Sequence, residues 1–89
     1  TSDENLKGMI NIRLARIQVQ LKQQDASMKT LDSVKGDGWA AIVADLRGEA
    51  LLSKGDKQGA RTAWENGVKN NASPALSEMM QMKINNLSI

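Results

Sequence analysis

Apolar residues recur along the first quarter of the chain with the period of a helix. Leu6, Ile10, Leu14, Ile17 and Leu21 follow at spacings of four, four, three and four, which puts them on one helix face. Met9, Ile12 and Val19 form a second apolar stripe beside it. The pattern predicts a first helix over about 4–24, capped by Ser2 or Asp3. Asp25 is placed to cap a short second helix carrying Met28, Leu31 and Val34, and the "KGDG" of 35–38 ends it. A third helix opens at Trp39 and carries Ile42, Val43, Leu46, Ala50 and Leu51. "SKGD" over 53–56 closes it, with Gly55 as the stop and Asp56 as the cap of the next helix. That fourth helix runs to about Lys69, with Ala60, Ala63, Trp64 and Val68 on one face. "NNASP" over 70–74 reads as a loop in which Ser73 caps a fifth helix and Pro74 takes its first position, where a missing N–H costs nothing. Leu76, Met80, Ile84 and Leu87 line that helix, flanked by Met79 and Met82.

The two helical pairs are related to each other. Sliding the chain by 33 residues brings Ala15 onto Gly48, Ser27 onto Ala60, Leu31 onto Trp64 and Lys22 onto Gly55. Paired helices with a period near 34 are the signature of tetratricopeptide repeats, whose pattern runs W-x2-L-G-x2-Y, then A-x3-F, then P. The second unit reads Ala44-x2-Arg47-Gly48-x2-Leu51, then Ala60-x3-Trp64, then Pro74. The first reads Asn11-x2-Leu14-Ala15-x2-Gln18, then Ser27-x3-Leu31, with no Pro. Both depart from the pattern: Trp and Tyr are missing from the first-helix positions, and Arg47 replaces a core Leu. The expected fold is all-α, with tetratricopeptide-like hairpins over about 4–36 and 38–70 and a capping helix over about 74–87. Such units stack into a right-handed superhelical solenoid.

The glycines of "LRGEALLSKGDKQGARTAW", residues 46–64, fit this picture. Gly48 and Ala60 are small because two helices cross there, Trp64 fills the space beside the crossing, and Gly55 makes the turn. Gly59 is left with no clear duty beyond a contact with a neighbouring helix. A phosphate loop needs G-x4-G-K-[ST] after a strand. Here Gly55-x3-Gly59 leads into Ala60-Arg61, and no strand precedes it.

Composition removes most chemistry. The chain of 89 residues is one domain or a piece of one, and it has no Cys and no His. The commonest general base, Ser-His-Asp and Cys-His arrangements, and Cys or His zinc sites are excluded within it. No enzyme activity, cofactor or metal is expected. The net charge of +2, with both signs interspersed, is no footprint for nucleic acid. No apolar run approaches the roughly 20 residues that span a bilayer. The chain opens on Thr1, so an upstream segment is expected.

In a tetratricopeptide unit the first helix of each pair lines a concave groove. That places Met9, Ile12, Arg16, Val19 and Gln20 of the first helix on the groove, with Ile42, Asp45, Glu49, Leu52 and Ser53 of the third. An exposed apolar patch marks an interface, so Met9, Ile12, Val19, Ile42 and Leu52 are candidate partner contacts. The competing reading packs them on upstream repeats absent from this chain, or on the fifth helix, as core. Met79, Met80 and Met82 read either as an adaptable binding surface or as part of the capping helix. Arg13 and Arg16, one turn apart, read as a solvated face or as a pair of cations for phosphate or a client's carboxylates. Asp45 and Glu49, four apart, read as groove polarity rather than as a catalytic pair.

"GWAAIVADLRGEALLSKGDKQGARTAWENGVK", "PALSEMMQMKINNLSI" and "MINIRLARIQVQ" resemble the C-terminal part of the YfgM family, ancillary subunits of the SecYEG translocon in Gram-negative bacteria. The resemblance covers nearly the whole chain. It implies an inner-membrane protein with one N-terminal transmembrane helix, absent from this chain, and a periplasmic tetratricopeptide-like domain. It further implies association with the SecYEG translocon and the periplasmic chaperone PpiD, a role in passing client polypeptides to periplasmic chaperones, and a link to envelope stress. No catalytic or binding motif carries over from it. The alternative is a homo-oligomeric structural domain whose apolar groove pairs with itself.

Overall fold

A computed structural model describes residues 2–70 and 72–88. Among them the chain forms five α-helices: α1 Ser2–Gln20, α2 Gln24–Asp32, α3 Ala40–Ser53, α4 Lys57–Lys69 and α5 Pro74–Asn85. A 3-10 turn, Asp37–Trp39, leads into α3. α1 packs on α2, both pack on α3, α3 packs on α4, and both of these pack on α5. The Cα trace measures 40 × 29 × 15 Å, a slab rather than a sphere.

The 33-residue period is written into the backbone. α1 ends at Gln20 and α3 at Ser53; α2 begins at Gln24 and α4 at Lys57. Both hairpin turns close with the same pair of hydrogen bonds. Lys22 N donates to Val19 O at 3.1 Å and Gln23 N to Gln18 O at 2.8 Å; Gly55 N donates to Leu52 O and Asp56 N to Leu51 O, both at 2.9 Å. This arrangement requires a left-handed residue just past the helix. Gly55 supplies it at φ 88°, and Lys22 at φ 65°. Ser88, a further 33 residues on, is left-handed as well, at φ 57°. α1 therefore stops at Gln20, short of the predicted 24, because Lys22 takes the left-handed turn that Gly55 takes in the second unit.

The caps are partly as expected. Asp56 Oδ1 accepts from Gly59 N at 2.8 Å, which gives Gly59 its duty as the amide that receives the α4 cap. Ser73 Oγ accepts from Leu76 N at 3.2 Å, and Pro74 opens α5. Gly36 turns the chain after α2 at φ 104°. Asp25 does not cap α2: the cap position is Gln23, without a side-chain bond, and Asp25 sits in the first turn. Asp3 likewise lies inside the first turn of α1; the alternative cap, the Ser2 side chain, and Asn71 of the loop fall outside what is described.

Two apolar clusters fill the slab. Ile12, Ala15, Leu31 and Leu46 make the first, backed by Val34, Trp39, Ile42 and Val43. Ala41, Ala60, Trp64, Met80 and Leu87 make the second, backed by Leu51, Val68, Ala72, Leu76 and Ile84. Small residues set the helix crossings: a Cβ on Gly48 would lie 2.3 Å from Trp64 Nε1. At the matching place in the first hairpin, buried Ser27 donates from Oγ to Ala15 O at 2.9 Å. The inward face of α1 is Gly8, Ile12 and Ala15. The long stripe from Leu6 to Leu21 points away from both clusters and is exposed.

Candidate functional site

α1, α3 and α5, the first helices of successive 33-residue units, together line a cleft of about 420 Å³. Arg16, Val19 and Gln20 come from α1, Asp45, Leu46 and Glu49 from α3, and Met79 and Lys83 from α5. A smaller cleft of about 270 Å³ adjoins it across Glu49 and Lys83, bounded also by Leu52, Trp64 and Leu87.

The floor between the two clefts is a polar cluster. Lys83 Nζ donates to Asp45 Oδ1 at 2.8 Å and pairs with Glu49 Oε1 at 2.6 Å. The Asp45 side chain is almost wholly buried, at 6% exposure. It also accepts from Trp64 Nε1 at 3.0 Å, and the same N–H reaches Asp45 O at 3.1 Å. Lys83 Nζ further lies 5.8 Å from the centre of the Trp64 ring, within cation–π range. Burying a carboxylate costs several kcal/mol unless it is paired and hydrogen-bonded, roughly what this triad of contacts supplies. Burial works against the charge on Lys83, yet its hydrogen bonds to Asp45 and Glu49 outweigh that and raise its pKa above the ordinary lysine value. The cluster ties α5 to α3 and leaves a cleft wall in which apolar Val19, Leu46 and Met79 stand among charged and polar side chains.

Of the residues read from the sequence, Arg16, Val19, Gln20, Asp45 and Glu49 line the larger cleft and Leu52 the smaller. Met9 is exposed but lines neither cleft. Ile12 is 5% exposed and locked among Ala15, Leu31 and Leu46, so it has no free surface to offer a partner. Ile42 packs against the same cluster. The second stripe of α1 thus splits, because Gly8 and Ala15 draw its neighbour Ile12 inward. Sequence reasoning missed Lys83, placed Leu46 only among the apolar residues of the third helix, and named Met79 only in the reading of the methionines as an adaptable surface. A second step of the 33-residue offset would have found Met79, which stands opposite Leu46, and it ends on Ser88, opposite Gly55; Lys83 stands opposite Ala50, so groove position within the repeat does not point to it.

The fold and the groove built from first helices define a class, and comparison agrees: the tetratricopeptide repeat-like domain matches residues 1–89, and the chain belongs to that family. Among its relatives, the ancillary SecYEG translocon subunit of Escherichia coli (strain K12) is 82% identical over 89 residues, all of this chain and 43% of that protein. The ancillary SecYEG translocon subunit of Haemophilus influenzae is 37% identical over 87 residues, 98% of this chain and 42% of that protein. That of Buchnera aphidicola subsp. Schizaphis graminum is 30% identical over 87 residues, 98% of this chain and 45% of that protein. The chain thus spans less than half the length of the curated relatives it matches. No solved structure gives a significant match. No helix among the described residues is long and apolar enough to cross a membrane.

Proposed function

We propose that this chain is a non-catalytic protein-docking module of a translocon-associated inner-membrane protein. It faces the periplasm there and helps pass secreted polypeptides from the SecYEG translocon to periplasmic chaperones such as PpiD. The observation that carries the reading is the cleft shared by α1, α3 and α5. Val19 and Met79 supply apolar surface, and Met adapts its shape to varied partners. Arg16 and Gln20 supply polar contacts from α1, and Glu49 one from the floor. Three stacked helices hold these groups on a rigid frame, which lowers the ordering cost of binding an extended or helical segment. Within the groove set, Arg16, Val19, Asp45, Glu49 and Leu52 do this work; Met9 extends the surface along α1, and Ile12 and Ile42 support it from the core.

Site-specific photo-crosslinking in cells tests the proposal. A photoreactive residue replaces Val19, Leu52 or Met79 in the natural full-length protein, with the exposed positions Lys29 and Lys69 as controls. Adducts with translocon or chaperone subunits are expected from the cleft positions alone. Adducts from no cleft position, or equally from the controls, would end the docking-groove reading.

A further inference from the structure

We infer that Leu6, Ile10, Leu14, Ile17 and Leu21 form the stacking face for a further helical hairpin of the same polypeptide, placed ahead of α1. These five side chains lie along one face of α1 and the turn at its end and are between 42% and 61% exposed. The opposite side of α1 is already buried at Gly8, Ile12 and Ala15. A helix apolar on two sides is built to be covered on both.

The repeat identifies what covers it. Adding 33 to the five positions gives Trp39, Val43, Arg47, Ala50 and Lys54 of α3 and its end. In α3 this set faces the preceding hairpin. Trp39 and Val43 pack on the cluster of Ile12, Ala15 and Leu31, the Trp39 ring lies over Gly8, and Ala50 is fully buried. Arg47 pairs with Asp32, and Lys54 pairs with Asp25 at 2.8 Å, both carboxylates belonging to α2. Adding 33 again gives Ala72, Leu76, Met80, Lys83 and Leu87. That set packs α5 onto the α3–α4 hairpin through Trp64, Ala60 and the Asp45–Glu49 pair. Twice, then, the same register seats a first helix on the hairpin before it. The stripe on α1 is the third instance of that register.

The chemistry of the occupant follows. Where α3 carries Arg47 and Lys54, α1 carries Leu14 and Leu21, so the covering hairpin offers apolar side chains there, as α3–α4 does to Met80 and Leu87. A second copy of this chain has no such hairpin to offer: α1–α2 is covered by α3, and α3–α4 by α5. The curated relatives are more than twice as long as this chain, which leaves room for a further unit.

The test labels single cysteines in the natural full-length protein, in a background without other cysteines. Ile10→Cys and Ile17→Cys are compared with Lys29→Cys for maleimide reaction rate, with light scattering reporting mass. In a monomer, Cys at positions 10 and 17 is expected to react at least about 100-fold more slowly than at position 29, as local burial protects it. Should either variant fail to fold, Leu14→Cys replaces it. Fast labelling at the stripe of a folded monomer overturns the inference. So does protection that appears only in a dimer and disappears on dilution, which would give the face to a second copy.

Discussion

Lys22 and Gly55 occupy the same place in two copies of one turn, and they differ in what that place costs. Both are left-handed, at φ 65° and φ 88°. A side chain with a Cβ loses about 1–2 kcal/mol there, whereas glycine does not. Glycine also gives the unfolded chain more freedom, which offsets part of the gain. Lys22→Gly is therefore expected to stabilise the chain by about 0.5–1 kcal/mol, read as a rise in Tm on thermal melting. Gly48 is the opposite case. Alanine there improves helix propensity by about 1 kcal/mol, but its Cβ would lie 2.3 Å from Trp64 Nε1 and 2.5 Å from Cε2. Trp64 is buried and its N–H is held by Asp45, so the ring has nowhere to move. Overlap wins, and Gly48→Ala is expected to destabilise by about 2 kcal/mol in urea unfolding. An unchanged midpoint would mean the crossing is looser than the distances say.

At the scale of elements, what was legible in the sequence followed local chemistry. α3, α4 and α5 are readable because Gly55, Asp56, Ser73 and Pro74 are strong stop and start signals. The end of α1 was not, because Lys22 takes a conformation that its type does not advertise. The outward face of α1 was not legible either. Periodicity reports that a stripe exists, and two stripes on one helix leave open which one meets the core until Gly8 and Ala15 are seen to allow close approach. Of the groove positions read from the repeat, Arg16, Val19, Gln20, Asp45, Glu49 and Leu52 line the clefts; Lys83 was not singled out because it stands opposite Ala50, outside the groove register. Its ion pairs make α5 testable. Lys83→Met keeps the apolar stem but leaves Asp45 buried without its cation, at a cost of about 2–3 kcal/mol, below that of a fully dry pair because Lys83 reaches solvent. The pKa of folded Lys83 lies above the unfolded value near 10.5, so the pair's contribution is complete below that pH and is lost as pH rises through the folded value. The stability gap between wild type and Lys83→Met, followed by urea unfolding from pH 7 upward, should stay constant to about pH 10.5 and close above it. A gap that narrows between pH 7 and 9 would show that the lysine is not the titrating group.

At the scale of the whole molecule, a stack of hairpins behaves differently from a single globular core. Each unit touches only its neighbours, so stability is close to a sum of unit and interface contributions. The two clusters here share no buried residue: Leu31 belongs to the one formed by α1, α2 and α3, and Leu87 to the one formed by α3, α4 and the end of α5. Leu31→Val and Leu87→Val each remove one buried methylene and should each cost about 1 kcal/mol. Combined, they are expected to add within about 0.5 kcal/mol, as distant sites do. Leu31→Val with Ile12→Val is the contrasting pair, since both side chains sit in the same cluster. There the two losses share one cavity, and a coupling larger than about 0.5 kcal/mol is expected. Urea unfolding of the wild type, the three single variants and the two doubles measures both cycles. Strong coupling between Leu31 and Leu87 would mean that α3 transmits strain from one cluster to the other and that the slab is one core. Additivity there, with coupling inside the first cluster, is what a solenoid requires, and it would make the face of α1 a place where another unit adds its own share of stability.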